Sequence, residues 1–208
     1  MRRETSAEKL NRMTQIERLL WEKGLRVAGI DEVGRGPLAG PVVAACVILP
    51  PDRLIPEVDD SKKLSEAKRE SLYEPLCESA AYLRTAWVEP ERIDSVNILC
   101  ATRIAMQEAA AGADGAYFLI DAMDALILPG ESESIVGGDA LSYSIAAASI
   151  VAKVERDRYM AALHERYPEY GFIRNKGYGT KEHIEAILRH GPCPAHRRSF
   201  ISKWIKSA

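Results

Sequence analysis

The stretch Ile30-Asp31-Glu32-Val33-Gly34-Arg35-Gly36 joins two apolar runs, residues 27–30 and 42–49. Both runs favour strands, and the Gly/Pro-rich segment between them predicts a turn, so we expect a β-hairpin built from about 25–31 and 41–49. Two adjacent carboxylates therefore lie where the first strand ends, beside glycines whose backbone a ligand can approach closely. A solvated strand end would also explain two acids in this position. The neighbouring Gly-Arg-Gly favours a functional site.

The rest of the chain alternates strand-like and helix-like segments, which predicts an α/β fold with a mixed five-stranded sheet flanked by helices. The further predicted strands cover 80–88, 116–121 and 134–136. Helices are predicted over 6–23, after Ser65 with an interruption at Pro75, over 94–111 and over 142–166. The last of these is rich in small residues, which would let it approach the sheet closely. Residues 1–168 form one predicted domain, and 169–208 a basic helical region packed on it.

Composition narrows the classes of protein to consider. A chain of 208 residues that is 47% hydrophobic can bury the core of one domain. The net charge is −2, but residues 171–208 carry eight basic and two acidic residues, a balance of 8 − 2 = +6 that leaves −8 for the remainder. This asymmetry suggests an anionic partner, although a solvated basic helix face would look the same. We find no signal peptide or membrane-length apolar run, and we expect a cytoplasmic protein.

Carboxylates that end apolar strands are the main chemical signal. Asp31 and Asp121 each end such a run, and parallel neighbouring strands would bring them to the same edge of the sheet. Asp139 follows a possible strand and a Gly-Gly pair, so it could reach the same edge. Four crowded acids, including Glu32, would repel one another unless cations bind between them. Oxygen ligands favour Mg²⁺ or Mn²⁺, and two such ions support phosphodiester hydrolysis.

Other assignments of these acids remain open from spacing alone. Asp124 competes with Asp121, and Asp139 could be an ordinary turn residue. Asp157 is a rival fourth ligand, although an ion pair on the helix surface is its simpler explanation. The four cysteines show no C-x-x-C spacing, which argues against a zinc knuckle or a redox pair.

Longer motifs resemble one known family. The segment Gly29-Ile30-Asp31-Glu32-Val33-Gly34-Arg35-Gly36-Pro37-Leu38-Ala39-Gly40-Pro41-Val42 closely resembles the opening signature of bacterial ribonuclease HII, the type 2 ribonuclease H. Further matching segments follow in order: Asp60-Ser61-Lys62-Lys63-Leu64, Asn97-Ile98-Leu99, residues 145–157 with Lys153-Val154-x-Arg156-Asp157, Gly177-Tyr178-Gly179-Thr180 with His183, and His196-Arg197-Arg198-Ser199-Phe200. The resemblance covers about residues 25–200.

The resemblance implies a ribonuclease H-like sheet, a C-terminal helical extension and a catalytic, metal-binding quartet at Asp31, Glu32, Asp121 and Asp139. It implies two-metal-ion cleavage, with Mn²⁺ or Mg²⁺, of RNA in RNA/DNA hybrids and on the 5′ side of single ribonucleotides in duplex DNA, leaving 3′-hydroxyl and 5′-phosphate ends. The substrate-binding residues implied by the resemblance are Gly34, Arg35, Gly36, Ser61, Lys62 and Tyr178. The basic stretch 174–198 would bind backbone phosphates.

Two positions depart from the family pattern. The third aspartate is usually followed by glycine, and here Ala122 follows Asp121. The fourth usually lies in Lys-Gly-Asp-Ser, whereas this chain has Gly137 in place of the lysine. Neither change removes a metal ligand, but the loss of the lysine would weaken one backbone contact.

The expected partners are RNA/DNA hybrids and ribonucleotide-containing duplex DNA, bound by a monomer. A replication clamp is a further candidate partner, because Trp204 and Ile205 could form a docking segment, although packing as a terminal helix is the favoured explanation of these two residues. One alternative function is a non-catalytic hybrid-binding protein. A second is ribonuclease HIII, which carries an extra N-terminal domain for which the 24 residues before the first strand leave no room.

Overall fold

The computed structural model describes residues 4–205, which form a mixed five-stranded sheet in the order β3-β2-β1-β4-β5. The strands are β1 (Val27–Val33), β2 (Val42–Ile48), β3 (Tyr82–Val88), β4 (Tyr117–Asp121) and β5 (Ser132–Ile135). β1, β2 and β3 pair antiparallel, whereas β4 runs parallel to both β1 and β5. The predicted hairpin and the predicted mixed sheet are therefore confirmed.

Helices cover both faces of this sheet. They are α1 (Ser6–Met13), α2 (Gln15–Trp21), α3 (Glu66–Ser79), α4 (Pro90–Val96), α5 (Ile98–Ala110), α6 (Gly138–Leu141), α7 (Tyr143–Arg166), α8 (Phe172–Asn175), α9 (Lys181–His190) and α10 (Arg198–Ile201). α5 packs on one face against residues such as Ile30 and Phe118. α3 and α7 pack on the other face against Ala45 and Val47. Strand side chains alternate between these two apolar layers, as expected for a sheet buried on both sides.

The small residues of α7 allow a close approach to β1. Ala146, Ala147, Ala148, Ser149 and Ala152 are all buried, as the composition of this segment predicts. At Gly29 in β1, an added Cβ would lie 2.0 Å from the carbonyl carbon of Ser144. Only glycine therefore fits where the start of α7 crosses β1, and this contact fixes the helix over the strand that carries Asp31.

Three helix boundaries differ from the prediction. The segment 6–23 is two helices with a break at Thr14, whose hydroxyl donates to the Leu10 carbonyl at 2.8 Å, a contact that tends to bend helices. The segment 94–111 is divided at Asn97, which takes φ +67° and caps α5 by accepting from Cys100 N–H. Pro75 was expected to interrupt a helix but lies inside α3. It faces solvent, where water can bond the carbonyl that proline leaves unpaired.

The C-terminal region consists of a short 3₁₀ turn, Pro168–Tyr170, followed by α8, α9 and α10, as predicted up to residue 205. It packs on the end of α7 and on the loop after β1 through an apolar cluster that includes Leu38, Met160, Phe172 and Ile201. Lys206 of the predicted basic region lies outside the described residues. The division of the chain between 168 and 169 stays a prediction. Within residues 4–205, no helix is long and apolar enough to span a bilayer.

Candidate active site

The parallel pairing of β1 with β4 brings the first acids together. Its register aligns Ile30 with Ile120, so Asp31 and Asp121 follow side by side where the parallel ladder ends. β1 itself does not end at residue 31 as predicted but continues along β2 to Val33. Both strand cores are buried, and Asp31 is itself only 4% exposed. This edge of a parallel pair is where α/β proteins commonly place their sites.

A one-turn helix brings Asp139 to the same edge. Gly138, the first residue of α6, donates its N–H to Asp121 Oδ1 at 2.7 Å. A Cβ at Gly138 would lie 2.5 Å from Ile145 Cδ1, so α6 packs closely on α7 at this position. The following residue, Asp139, is buried beside these groups. It was expected in a loop and instead lies in this short helix.

Burial and acidic neighbours raise the pKa values of Asp31, Glu32 and Asp121. Burial first, then the charge of Glu32 and a further contribution from Asp121, raise the pKa of Asp31 well above its ordinary value. Burial and the charge of Asp121 raise the pKa of Glu32, against the opposing charge of Arg35. Burial, with a contribution from Asp139, raises the pKa of Asp121. Each of the four acids thus acts electrostatically on at least one other, which places them in one cluster.

Two cations reach into this cluster from solvent. Lys62 Nζ bonds Asp139 Oδ2 at 2.7 Å, although the lysine side chain is 75% exposed and the aspartate only 6%. That bond, above all, raises the pKa of Lys62. Arg35 Nη1 lies 3.5 Å from Glu32 Oε1. The acid cluster therefore attracts positive charge. A metal ion could supply that charge instead, and Lys62 and Arg35 could then pair with a phosphate.

A cleft beside the acids contains three of the six predicted substrate-binding residues, Ser61, Lys62 and Tyr178. It is lined by Asp31, Glu32, Val33, Ser61, Lys62, Arg69, Ser149, Lys153 and Tyr178. The hydroxyls of Ser61 and Ser149 lie 2.7 Å apart, and Ser149 also bonds Asp31. Arg69, Ser149 and Lys153 were not predicted as site residues. The i, i+4 spacing of Ser149 and Lys153 on α7 was the available signal, because it puts both on one helix face.

The rival acids lie in different surroundings. Asp157 bonds Lys153 at 2.6 Å and lies 3.6 Å from Arg69, so it is engaged by two cations in a buried ion-pair cluster. Asp124 is exposed at the surface after β4. Neither acid contributes to the pKa shifts of Asp31, Glu32 or Asp121.

Gly34 and Gly36, in the loop after β1, differ in what they allow. Gly34 has φ +94°, and a Cβ there would lie 2.3 Å from Arg156 Nε and 2.7 Å from the Pro41 carbonyl oxygen. Gly36 is exposed, and a Cβ there would meet only Tyr178 Cε1, at 3.6 Å. The fold itself therefore requires glycine at 34 but not at 36. At 36 the missing side chain leaves open space in front of a half-exposed tyrosine ring.

The departures from the family pattern have visible backbone consequences. Ala122 takes φ +43°, a conformation that glycine adopts without strain and alanine does not. Its N–H donates to the Ile135 carbonyl at 3.1 Å, which holds the strained turn after Asp121 in place. Gly137, at the usual lysine position, has φ +67°, which suits glycine.

The donor set fits hard divalent cations, but it is not arranged around an ion. The candidate ligands are all carboxylates, which suit Mg²⁺ or Mn²⁺. Within residues 4–205, no three acidic, histidine or cysteine side chains are grouped so that they could already hold one ion. Lys62 bonded to Asp139 shows that a cation can neutralise this acid. Metal binding would therefore require the side chains to turn toward the ion.

Replacing Asp31 by asparagine removes a buried charge, while the side-chain oxygen that accepts from Glu32 N–H at 2.8 Å can remain. In metal-free buffer at pH 7, we expect the midpoint of thermal unfolding to rise by about 2–4 °C, the shift that ~1 kcal/mol produces in a domain of this size. A carboxyl whose pKa is raised by folding costs stability as the pH rises from its unfolded to its folded pKa. The rise in the unfolding midpoint caused by Asp31→Asn should therefore vanish when the pH falls below the unfolded pKa, about 3.9.

The matched control is Asp124→Asn, which changes an exposed acid after the same strand. We expect its unfolding midpoint to equal that of the unchanged protein at each pH. An Asp31→Asn protein that is no more stable than this control at pH 7 would contradict the electrostatic cost assigned to the cluster.

Comparison with known proteins identifies the family. Residues 28–203 match the family model described as Ribonuclease HII. A ribonuclease HII from Caldanaerobacter subterraneus subsp. tengcongensis is 50% identical over 206 residues, which cover 98% of this chain and 86% of that protein. The structure of the PCNA:RNase HII complex from Archaeoglobus fulgidus matches with 28% identity and a TM-score of 0.71, over 88% of this chain and 98% of that one.

A more distant solved structure shares the fold alone. It is Bst-RNase HIII in complex with Mn²⁺, 19% identical with a TM-score of 0.62, covering 79% of this chain and 61% of that chain. The family match, by contrast, extends over nearly the whole chain and includes the strands and helices that carry the acid cluster. This chain belongs to the ribonuclease HII family.

Proposed function

We propose that this ribonuclease cleaves the RNA strand of RNA/DNA hybrids and nicks duplex DNA on the 5′ side of a single embedded ribonucleotide. The products would carry 3′-hydroxyl and 5′-phosphate ends. The observation that carries the proposal is the convergence of Asp31, Glu32, Asp121 and Asp139 beside an exposed glycine loop. Catalysis would follow the two-metal-ion scheme, with the four acids as ligands.

The metal requirement follows from the acids themselves. Two Mg²⁺ or Mn²⁺ ions held by these carboxylates would activate a water and stabilise the leaving oxygen of the phosphodiester. Binding at the cluster would relieve the repulsion that raises the pKa values of Asp31 and Asp121. The Mn²⁺ complex of the distant ribonuclease HIII is consistent with this choice of ion.

The residues around the acids would position the nucleic acid. Backbone groups of Gly34, Arg35 and Gly36 would read the ribose 2′-hydroxyl, the group that distinguishes RNA from DNA. Tyr178, whose ring faces the open side of Gly36, would contact the sugar or base at the junction. Ser61 and Lys62 would bind a backbone phosphate, and Lys62 would leave Asp139 to do so.

A binding protein without catalysis is the weaker alternative. A cluster of four acids repels phosphate, and burial and mutual repulsion make its carboxylates costly to ionise, so pure binding has no use for it. The basic surface of the C-terminal region would contact the duplex, but Arg197 takes no part because it is fully buried. The expectation that the whole stretch 174–198 binds phosphates is therefore wrong for this residue.

We further propose that the protein acts as a monomer. The clamp remains a candidate partner by analogy with the Archaeoglobus fulgidus protein, which was solved in complex with PCNA. Trp204 and Ile205 are partly buried against the C-terminal apolar cluster, which supports packing as their main role.

The proposal predicts a specific nick. A DNA duplex with one ribonucleotide, incubated with the purified protein and Mg²⁺ or Mn²⁺, should be cut once on the 5′ side of that ribonucleotide. Denaturing electrophoresis would map the ends, and an all-DNA duplex of the same sequence should stay intact. Cleavage of neither this duplex nor a longer hybrid, with either metal, would refute the proposed activity.

Asp121→Asn should abolish the nick but preserve duplex binding. The asparagine oxygen can still accept from Gly138 N–H, so the site keeps its shape while one candidate ligand loses its charge. We expect cleavage to fall by more than about 100-fold, beyond the effect typical of groups outside the ligand shell. Duplex affinity should stay within about threefold, because the lost charge repels phosphate. Equal losses of binding and rate would argue against a ligand role.

Gly36→Ala should affect the substrate without affecting the fold. The added methyl has room in the protein alone but occupies the space that a ribose would enter. We expect at least about tenfold slower nicking, since close backbone approach is lost, with an unchanged unfolding midpoint. Gly34→Ala is the contrasting variant, because its methyl would collide with Arg156 and Pro41 and should lower stability. Normal nicking by Gly36→Ala would contradict the proposed role of the loop.

A further inference from the structure

Arg197 lies beneath the glycine loop and is fully buried. Its guanidinium bonds three backbone carbonyls of the segment that follows β1: Nη2 to Gly34 O at 2.6 Å, Nη1 to Arg35 O at 3.0 Å, and Nε and Nη2 to Gly40 O at 2.9 and 2.8 Å. A side chain from the C-terminal region thus holds both ends of the loop in one planar fork.

These bonds fix the direction in which the loop presents its N–H groups. In a trans peptide the carbonyl and the following N–H point in opposite directions. Because the carbonyls of Gly34 and Arg35 point inward to Arg197, the N–H groups of Arg35 and Gly36 point away from it. Within the described part of the chain, neither N–H has a hydrogen-bond partner. Two adjacent free donors therefore lie on the exposed side of the loop, near Tyr178.

The cost of this arrangement indicates that it serves more than stability. All the hydrogen bonds of the Arg197 guanidinium go to carbonyls rather than to a carboxylate, and a buried, unpaired guanidinium is expensive. Burial, and then the charge of Arg156, lower the pKa of Arg197 to about 9. Arg156 is also fully buried and bonds the carbonyls of Ala39, Pro41 and Lys176. An apolar side chain in the Arg197 site would leave these carbonyls without a donor and could not orient them.

The fork is itself held firmly in place. Arg197 N–H donates to the Leu38 carbonyl at 2.9 Å. Directly after it, Asp94 accepts from the N–H groups of Arg198 and Ser199, at 2.7 and 3.0 Å, and so caps α10. Arg197 is thus positioned by α4 and by the loop that it bonds.

We infer that Arg197 is a positioning residue for ribose recognition, which aims the free N–H groups of Arg35 and Gly36 at the 2′-hydroxyl and the adjacent phosphate of the substrate. The inference rests on the proposed function and assigns one part of it to a residue that does not touch the substrate. Arg197 acts only through the loop backbone. It should therefore govern the discrimination between ribose and deoxyribose more than the affinity for duplex in general.

The test compares the affinity for two duplexes that differ by a single 2′-hydroxyl. Fluorescence anisotropy in EDTA would give the Kd of Arg197→Met and Arg197→Lys for DNA with one ribonucleotide and for the all-DNA equivalent. We expect the preference for the ribonucleotide to fall by about tenfold in Arg197→Met, the size of one hydrogen bond between a backbone N–H and the 2′-hydroxyl. Arg197→Lys keeps the charge but lacks the fork, and should recover only part of the preference. In the nicking reaction, KM should rise more than kcat falls.

Arg84→Met is the matched control. Arg84 is exposed on β3 and donates to one backbone carbonyl, that of Ala111, at 2.8 Å. We expect this variant to keep the full preference. Thermal unfolding would verify that every variant is folded, and Arg197→Lys carries the comparison if Arg197→Met does not fold. A purely structural role would lower the fraction of active protein and leave the preference unchanged.

The possible outcomes distinguish a failure of the proposed nuclease activity from a failure of the role assigned to Arg197. An unchanged protein that neither nicks nor prefers the ribonucleotide would refute the proposed function. An unchanged protein that nicks but binds both duplexes equally would overturn the inference alone. So would folded Arg197 variants that keep the full preference.

Discussion

The parallel register of β1 and β4 is the constraint on which the candidate site depends. It aligns Ile30 with Ile120 and so leaves Asp31 and Asp121 adjacent at the end of the ladder that the two strands share. A shift of one residue would turn the acids to the opposite faces of the sheet, because side chains alternate along a strand. The close packing of α7 on Gly29 fixes the helix over β1, since no other residue fits under Ser144. The strand that carries Asp31 is therefore held both by its pairing with β4 and by α7.

The site balances negative charge by several means. Hydrogen bonds from Glu32 N–H, Ser149 and Gly138 N–H stabilise the ionised forms of Asp31 and Asp121, while burial and mutual repulsion oppose them. Lys62 and Arg35 supply positive charge from flexible, exposed side chains. These cations can leave, whereas the carboxylates are fixed by the sheet. The arrangement suits a site in which metal ions displace Lys62 and Arg35 from the carboxylates.

The sequence predicts the acids well because each follows a recognisable strand or a glycine pair. The apolar run before Asp121 and the hairpin around Asp31 are local patterns, and local patterns can be recognised in a single sequence. The breaks at Thr14 and Asn97 were missed because a single polar side chain, bonded to nearby backbone, interrupts an otherwise helical pattern. Pro75 was misjudged because its exposure in α3 depends on tertiary packing.

The position of Arg197 could not be predicted for a different reason. Its partners are backbone carbonyls, which carry no side-chain signal, and Gly34 lies 163 residues away along the chain. In the sequence it is one arginine among several in a basic stretch, and that context suggested solvent and phosphate. Ala122 illustrates the same limit, because its strained φ of +43° is set by the turn between Asp121 and β5 and not by its own preference.

The long separation between Arg197 and its loop also has a consequence for biosynthesis. A nascent chain that has emerged from the ribosome as far as α7 already contains all four acids and every strand of the sheet. It lacks the guanidinium that orders the segment from Gly34 to Gly40. The acid cluster can therefore assemble during translation, while the loop beside it acquires its final conformation only after residue 197 has left the exit tunnel.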